Sequence, residues 1–73
     1  MNRYEKRPNA ANEAQVEYLD GEFHVLRPGL YVICGVTGAA ITLEELRYWS
    51  VELQEPYVNP EAVLVRLIER LGS

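Results

Sequence analysis

Cys34 and His24 are the one pair of side chains in this sequence that could supply a nucleophile and its base. A reactive cysteine needs a base within hydrogen-bond reach and an electropositive setting. The setting here is acidic, and no third group stands ready to orient the imidazole. Cys34 therefore reads as a buried structural thiol, a common fate of free cysteine. His24 reads as a surface imidazole beside Glu17. A metal site needs three or four clustered ligands, and one cysteine and one histidine do not supply them. Gly35-Val36-Thr37-Gly38 lacks the lysine and glycine spacing of a phosphate loop. No catalytic residue, no metal and no cofactor are expected, and the chain does not read as an enzyme.

A second constellation suits binding better. Arg47, Tyr48, Trp49 and Tyr57 lie close in sequence, and Trp, Tyr and Arg are enriched at binding hot spots. They form a candidate interaction surface. The competing reading makes Trp49 a core plug, because a tryptophan adds much area to a thin core.

The elements that would position these residues follow from turn and cap signals. Asp20-Gly21 is a two-residue hairpin turn, in which both central residues are expected at positive φ. It pairs Leu19 with Glu22, Tyr18 with Phe23, Glu17 with His24 and Val16 with Val25. Val16, Tyr18, Phe23 and Val25 then share one face, which favours this register. That face is expected to meet the C-terminal helix. Pro28-Gly29 suits a type II turn. A third strand from Leu30 to Cys34 then follows, and a three-residue loop would turn Tyr31 and Ile33 inward. A two-residue loop would turn Val32 and Cys34 inward instead; the first register is preferred. Gly35 to Gly38 is a tight turn.

Thr42-Leu43-Glu44-Glu45 fits a capping box and a single turn ending near Leu46. Tyr48-Trp49 reads as a short strand. Ser50 is able to cap a turn through Gln54, which Pro56 ends. Asn59-Pro60 starts a helix, with a cap followed by proline at the first helical position. Glu61 suits its positive end, and Arg66 and Arg70 its negative end. Gly72 stops it. Val63, Leu64, Leu67, Ile68 and Leu71 form one apolar stripe, expected to close the core against the strands.

Size and charge bound the function. Seventy-three residues make one domain, with residues 1–13 as a mobile arm and residues 14–73 as a single small α+β domain. Such a chain buries only about 60% of its unfolded surface, so a staple or a partner is expected. Cys34 is the only cysteine, which rules out a disulfide within the monomer. A lone thiol with no visible signal peptide implies the cytoplasm. The longest apolar run, Leu30 to Cys34, is too short to span a membrane. Residues 1–7 carry three bases and one acid, a net +2; residues 8–73 carry four arginines and ten acids, a net −6. An acidic body repels phosphate, so nucleic acid is disfavoured as a partner.

Two resemblances add to this reading. Tyr18-Leu19-Asp20-Gly21, Pro28-Gly29, Cys34 with Val36-Thr37-Gly38, Leu43, Leu46-Arg47-Tyr48-Trp49-Ser50-Val51, Gln54-Glu55 and Tyr57 resemble domain-of-unknown-function family 2093. That family comprises short uncharacterised alphaproteobacterial proteins, and the resemblance covers over half the chain. It implies a bacterial cytoplasmic protein and carries no activity. Cys34-Gly35-Val36-Thr37-Gly38 further looks like a zinc knuckle with Thr37 at its second cysteine position. Tyr48-Trp49-Ser50-Val51-Glu52-Leu53 looks like the second half-site, with Trp49 and Leu53 at the ligand positions. This likeness implies a ribbon that has lost its metal, with Cys34, Thr37, Trp49 and Leu53 at former ligand positions and Cys34, Trp49 and Leu53 packed together. The expected fold is a small three- to four-stranded antiparallel β-meander with one C-terminal helix, ribbon-like. The expected function is a non-enzymatic adaptor that binds another, larger protein or itself. The alternative is a nucleic-acid-associated, metal-free ribbon in transcription or translation.

Overall fold

A computed structural model describes residues 12–72. Six short strands and one helix follow in order: β1 (Gln15–Leu19), β2 (Glu22–Arg27), β3 (Tyr31–Ile33), β4 (Ala40–Thr42), β5 (Tyr48–Ser50), β6 (Glu55–Tyr57) and α1 (Pro60–Leu71). The small α+β, ribbon-like fold with its C-terminal helix is as the sequence implies. The strands, however, form three separate antiparallel pairs, β1–β2, β3–β4 and β5–β6, and not one continuous meander.

The first hairpin has the expected register, with Tyr18 opposite Phe23 and Glu17 opposite His24. Its turn differs in one respect. Gly21 takes a φ of 84°, whereas Asp20 stays on the negative side. The register slips by one residue between Gln15 and Val16. This β-bulge leaves Leu26 without an opposite number.

The chain then leaves β2 altogether, so the expected pairing of the second and third strands does not form. Gly29 supplies close approach, not a left-handed turn. Its φ is not positive, and a Cβ there would drive into the backbone of Asn12 and Ala14. That approach lets the Leu30 amide donate to the Asn12 carbonyl and the Ala14 amide to the Tyr31 carbonyl, each at 2.7 Å. Asn12 and Glu13 are thereby fixed beside β3, and Glu13 bridges Tyr31 in parallel. Residues 1–11 of the expected arm lie outside the described residues.

Strand β3 pairs with β4, setting Val32 opposite Ile41. Val32 and Cys34 are buried, while Tyr31 and Ile33 are only half-buried. The preferred register for this strand is therefore corrected. Its partner lies downstream, so a β2–β3 loop length does not set its facing. The turn after β4 is closed by the Glu45 amide on the Thr42 carbonyl at 2.9 Å and delivers Leu46 to the core. Ser50 caps the β5–β6 turn, with its Oγ accepting from the Leu53 amide at 3.0 Å. Pro56 does not end that segment; it lies within β6 opposite Trp49.

The core comprises Ala14, Tyr18, Val32, Cys34, Ile41, Leu46, Tyr57 and Ala62. Helix α1 starts as the sequence dictates, with Asn59 Oδ1 accepting from the Ala62 amide at 2.8 Å. It packs on β5 and β6. The first hairpin turns its apolar face to Trp49 instead of the helix: the Tyr18 and Phe23 rings lie 5.9 Å and 5.6 Å from the Trp49 ring. Val25, expected on the buried face, stays exposed just before the bulged Leu26. The apolar helix stripe departs furthest from expectation. Ala62 is buried and Val63 partly so, but Leu64, Leu67, Ile68 and Leu71 face solvent.

Because the three pairs share no ladder, contacts other than strand pairing must join them. Gln54 does so for the first and third. Its Nε2 donates to the Tyr18 carbonyl at 2.7 Å, and its Oε1 accepts from the Tyr18 amide at 2.9 Å. Gln54 also holds a φ of 54°, a left-handed conformation that costs a non-glycine residue stability. Replacing Gln54 with Ala should destabilise the protein by about 1–3 kcal/mol, the sum expected for two part-buried hydrogen bonds. Gln54→Gly should cost less, because glycine relieves the backbone. Urea unfolding of the two variants checks this; equal stability of wild type and Gln54→Ala would show the bridge to be idle.

Candidate functional site

The segment from Cys34 to Gly38 wraps its own backbone around a sulfur. The Cys34 amide donates to the Ala39 carbonyl at 2.8 Å, and the Gly38 amide returns to the Cys34 carbonyl at 3.0 Å. Gly38 takes a φ of 80° to complete the turn. The amides of Val36 and Thr37 consequently point at Cys34 Sγ, each at 3.4 Å. A third amide, from Val58 just before α1, reaches the same atom at 3.4 Å. Burial pushes the Cys34 thiol up, but donation from the Thr37 side chain and from the amides of Thr37, Val36 and Val58 outweighs it. The thiol is left below its ordinary value. Thr37 is held for this by the Ala39 amide, which donates to its Oγ1 at 3.1 Å.

A clamp secures the knuckle to the rest of the domain. The Gly35 amide donates to the Pro56 carbonyl at 2.9 Å. Arg66 Nη2 donates to the Gly35 carbonyl at 2.9 Å, and its Nε to Glu55 Oε2 at 2.7 Å. The Tyr57 hydroxyl donates to the same Glu55 oxygen at 2.7 Å, and Arg66 Nη1 reaches Glu69 at 2.7 Å. Burial pushes Glu55 up, yet the bonds from Tyr57 and Arg66 prevail and hold it below the usual carboxylate range. Burial and the neighbouring carboxylate push Tyr57 up to about 12.

The residues expected at former ligand positions divide into two groups. Cys34 and Thr37 meet at the knuckle. Trp49 and Leu53 instead line a cleft of about 240 Å³ against α1, together with Tyr57, Arg66 and Leu67, and Cys34 is not part of its wall. The Val58 amide, and neither Trp49 nor Leu53, completes the donors around the sulfur. Among the described residues no group of three or more His, Cys, Asp or Glu is placed to hold a metal.

The expected aromatic-arginine surface is likewise divided. Arg47, Tyr48 and Trp49 line a groove of about 430 Å³ with Leu19, Gly21, Val51 and Val63. Tyr57, opposite Tyr48 in the β5–β6 pair, is buried and belongs to the clamp. Trp49 is half-buried, and its Nε1 donates to the Leu19 carbonyl at 2.8 Å. It is thus both plug and groove wall. His24 lies on the exposed face of β2, where its Nε2 approaches Glu22 at 3.4 Å; the cross-strand neighbour Glu17 is not its ion partner. Sequence reasoning passed over Gln54, Glu55 and Arg66. In the sequence Gln54 marks only the end of the Ser50 turn and, with Glu55, part of the family pattern, and Arg66 is a helix-end charge.

The sequence profile of DUF2093, described as an uncharacterised protein conserved in bacteria, matches residues 25–66. The chain belongs to this family. The matched DUF2093 segment contains the knuckle, the β5–β6 pair and most of α1 up to Arg66, so the clamp apart from Glu69 falls within it. Searches of curated proteins and of solved structures gave no match.

Two measurements probe the knuckle and its clamp. Thr37→Val should raise the Cys34 thiol pKa, read from the pH dependence of thiolate absorbance, because it removes a donor to the sulfur. An unchanged titration would show that the hydroxyl contributes nothing. Glu55 has a depressed folded pKa, so its stabilising contribution is present above the unfolded value of about 4.3 and is lost as pH falls through the folded value. Glu55→Gln should therefore destabilise the domain at neutral pH and flatten the acid limb of its stability profile. A Glu55→Gln profile parallel to wild type below pH ~4 would contradict this.

Proposed function

We propose that this domain is a non-enzymatic adaptor of the bacterial cytoplasm that binds another protein. The observation that carries the reading is the outer face of α1. Leu64, Leu67, Ile68 and Leu71 are 55%, 51%, 58% and 83% exposed, although their i, i+3, i+4, i+7 spacing is that of a helix face made for burial. Contiguous apolar surface of this kind marks interaction sites. The groove beside Trp49 is the weaker candidate, since its tryptophan is already engaged with Tyr18, Phe23 and Leu19. Support for a non-enzymatic role comes from Cys34, the best nucleophile, which is only 2% exposed. His24 stands on the exposed face of a separate ribbon, paired with Glu22. No helix among the described residues is long and apolar enough to cross a membrane.

The nucleic-acid reading rests on the resemblance of Cys34 to Gly38 to a zinc knuckle. The charge opposes it. Affinity for RNA or DNA that falls steeply with salt would support it, since phosphate binding must weaken by counterion release.

The adaptor reading predicts that tagged full-length chain captures a specific protein from lysate of its own bacterium. Leu64→Glu should abolish capture while leaving the circular dichroism spectrum unchanged. Capture undiminished by Leu64→Glu and Ile68→Glu would remove the helix face from the reading.

A further inference from the structure

We infer that Gly35 to Gly38 form a strap over the Cys34 sulfur, latched by Arg66, that lifts while the rest of the domain stays folded and so makes Cys34 a gated thiol. Cys34 is 2% exposed, yet the chain that covers it lies at the surface. Gly35, Thr37 and Gly38 are exposed, and Val36 is half-buried. The strap closes on the sulfur through the Val36 and Thr37 amides, each at 3.4 Å. Sulfur is a weak acceptor, so these contacts resist opening little.

The ties of the strap to other elements are few and lie at one end. Among the described residues, the hydrogen bonds of Val36, Thr37 and Gly38 stay within residues 34–39. Gly35 reaches beyond, with its amide on the Pro56 carbonyl and its carbonyl on Arg66 Nη2, each at 2.9 Å. The bond from Arg66 is charge-assisted and thus the stronger of the two. Glu55 holds the guanidinium from β6 at 2.7 Å, and its carboxylate fills the space that a Cβ on Gly35 would need. The β3–β4 pair, with Ile33 opposite Ala40, pins both ends of the loop, so the strap moves as a hinged flap.

Local opening draws on segments with exposed backbone and few contacts to other elements. Two glycines within four residues add to this, since glycine regains the most backbone freedom on release. Lifting the strap costs the Gly35 bonds and the packing of Val36 on the core. The Val58 amide on the far side of the loop is left in place. The first hairpin, tied through Gln54 and Trp49, takes no part. The closed strap favours the thiolate through its donors but hides it. The open strap exposes the thiol and withdraws two of its three amide donors.

Alkylation of the full chain by iodoacetamide tests this. The Cys34 thiolate displaces iodide from the methylene carbon of the reagent, and mass spectrometry reads the labelled fraction. Well below the unfolding transition the rate should stay flat with urea, because lifting a strap exposes little surface. Arg66→Ala should raise that flat rate about tenfold or more, through loss of a hydrogen bond from a charged group. Gln54→Ala should lower the urea midpoint yet keep the flat rate within about twofold of wild type, since the hairpin tie and the strap open separately. A wild-type rate that climbs from the lowest urea concentrations on the slope of global unfolding overturns the inference, and does so even where Arg66→Ala fails to fold. A folded Arg66→Ala variant that labels no faster than wild type overturns it as well. So does a Gln54→Ala variant whose labelling accelerates in step with its lost global stability.

Discussion

The fold depends on one constraint: three two-stranded ribbons that share no ladder must be held together by something other than strand pairing. An isolated two-stranded hairpin is marginal in water. Each ribbon here gains its stability from contacts across to the next. Gln54 pairs with both backbone groups of Tyr18 as a neighbouring strand would, and Trp49 Nε1 takes the Leu19 carbonyl one residue on. The β5–β6 hairpin, through Trp49 on β5 and Gln54 in its turn, therefore supplies a substitute edge for β1. The left-handed φ of Gln54 is the strain this arrangement carries, since it aims the amide at Tyr18.

The second join is electrostatic and works at the opposite side of β6. Arg66 bridges the Gly35 carbonyl, Glu55 and Glu69, so one guanidinium connects the knuckle, the third ribbon and the helix. Arginine suits this task because its planar fork donates in several fixed directions at once. Its commitment to the body also fixes the rotation of α1. With Arg66 and Ala62 inward, the leucine stripe has to face outward. The exposed stripe is thus a consequence of how the clamp seats the helix.

These joins explain which parts of the structure were legible in the sequence. Elements set by local chemistry were readable: the Asp20-Gly21 hairpin with its register, the Asn59-Pro60 helix start, the Ser50 cap. Elements set by distant partners were not. The facing of β3 depends on β4 and on Asn12 and Ala14, which approach only because Gly29 has no side chain. Pairing β3 with β2 by loop length therefore placed Tyr31 and Ile33 inward, where Val32 and Cys34 belong. The helix stripe misled for a similar reason. Amphipathic periodicity shows that a face is apolar but not which surface will cover it, and a small domain can satisfy its helix with Ala62 and Val63 alone. For the candidate site, the tight turn that follows Cys34 was legible from Gly35 and Gly38, whereas the donor from Val58 lies 24 residues away and left no local signal.

The Cys34 loop is held by amides that donate to its own sulfur. Three amides converge on one sulfur, an arrangement that favours negative charge there, yet the sulfur is closed off from solvent. Burial works against the same charge, so the two effects act on the titration in opposite directions. A thiol in this position is stabilised by its donors and shielded by its depth. Two of the joins that hold the loop come from outside it: the Pro56 carbonyl accepts from the Gly35 amide, and Arg66 binds the Gly35 carbonyl. Loss of the clamp would therefore loosen the knuckle before it disturbed the first hairpin, whose ties run through Gln54 and Trp49 instead.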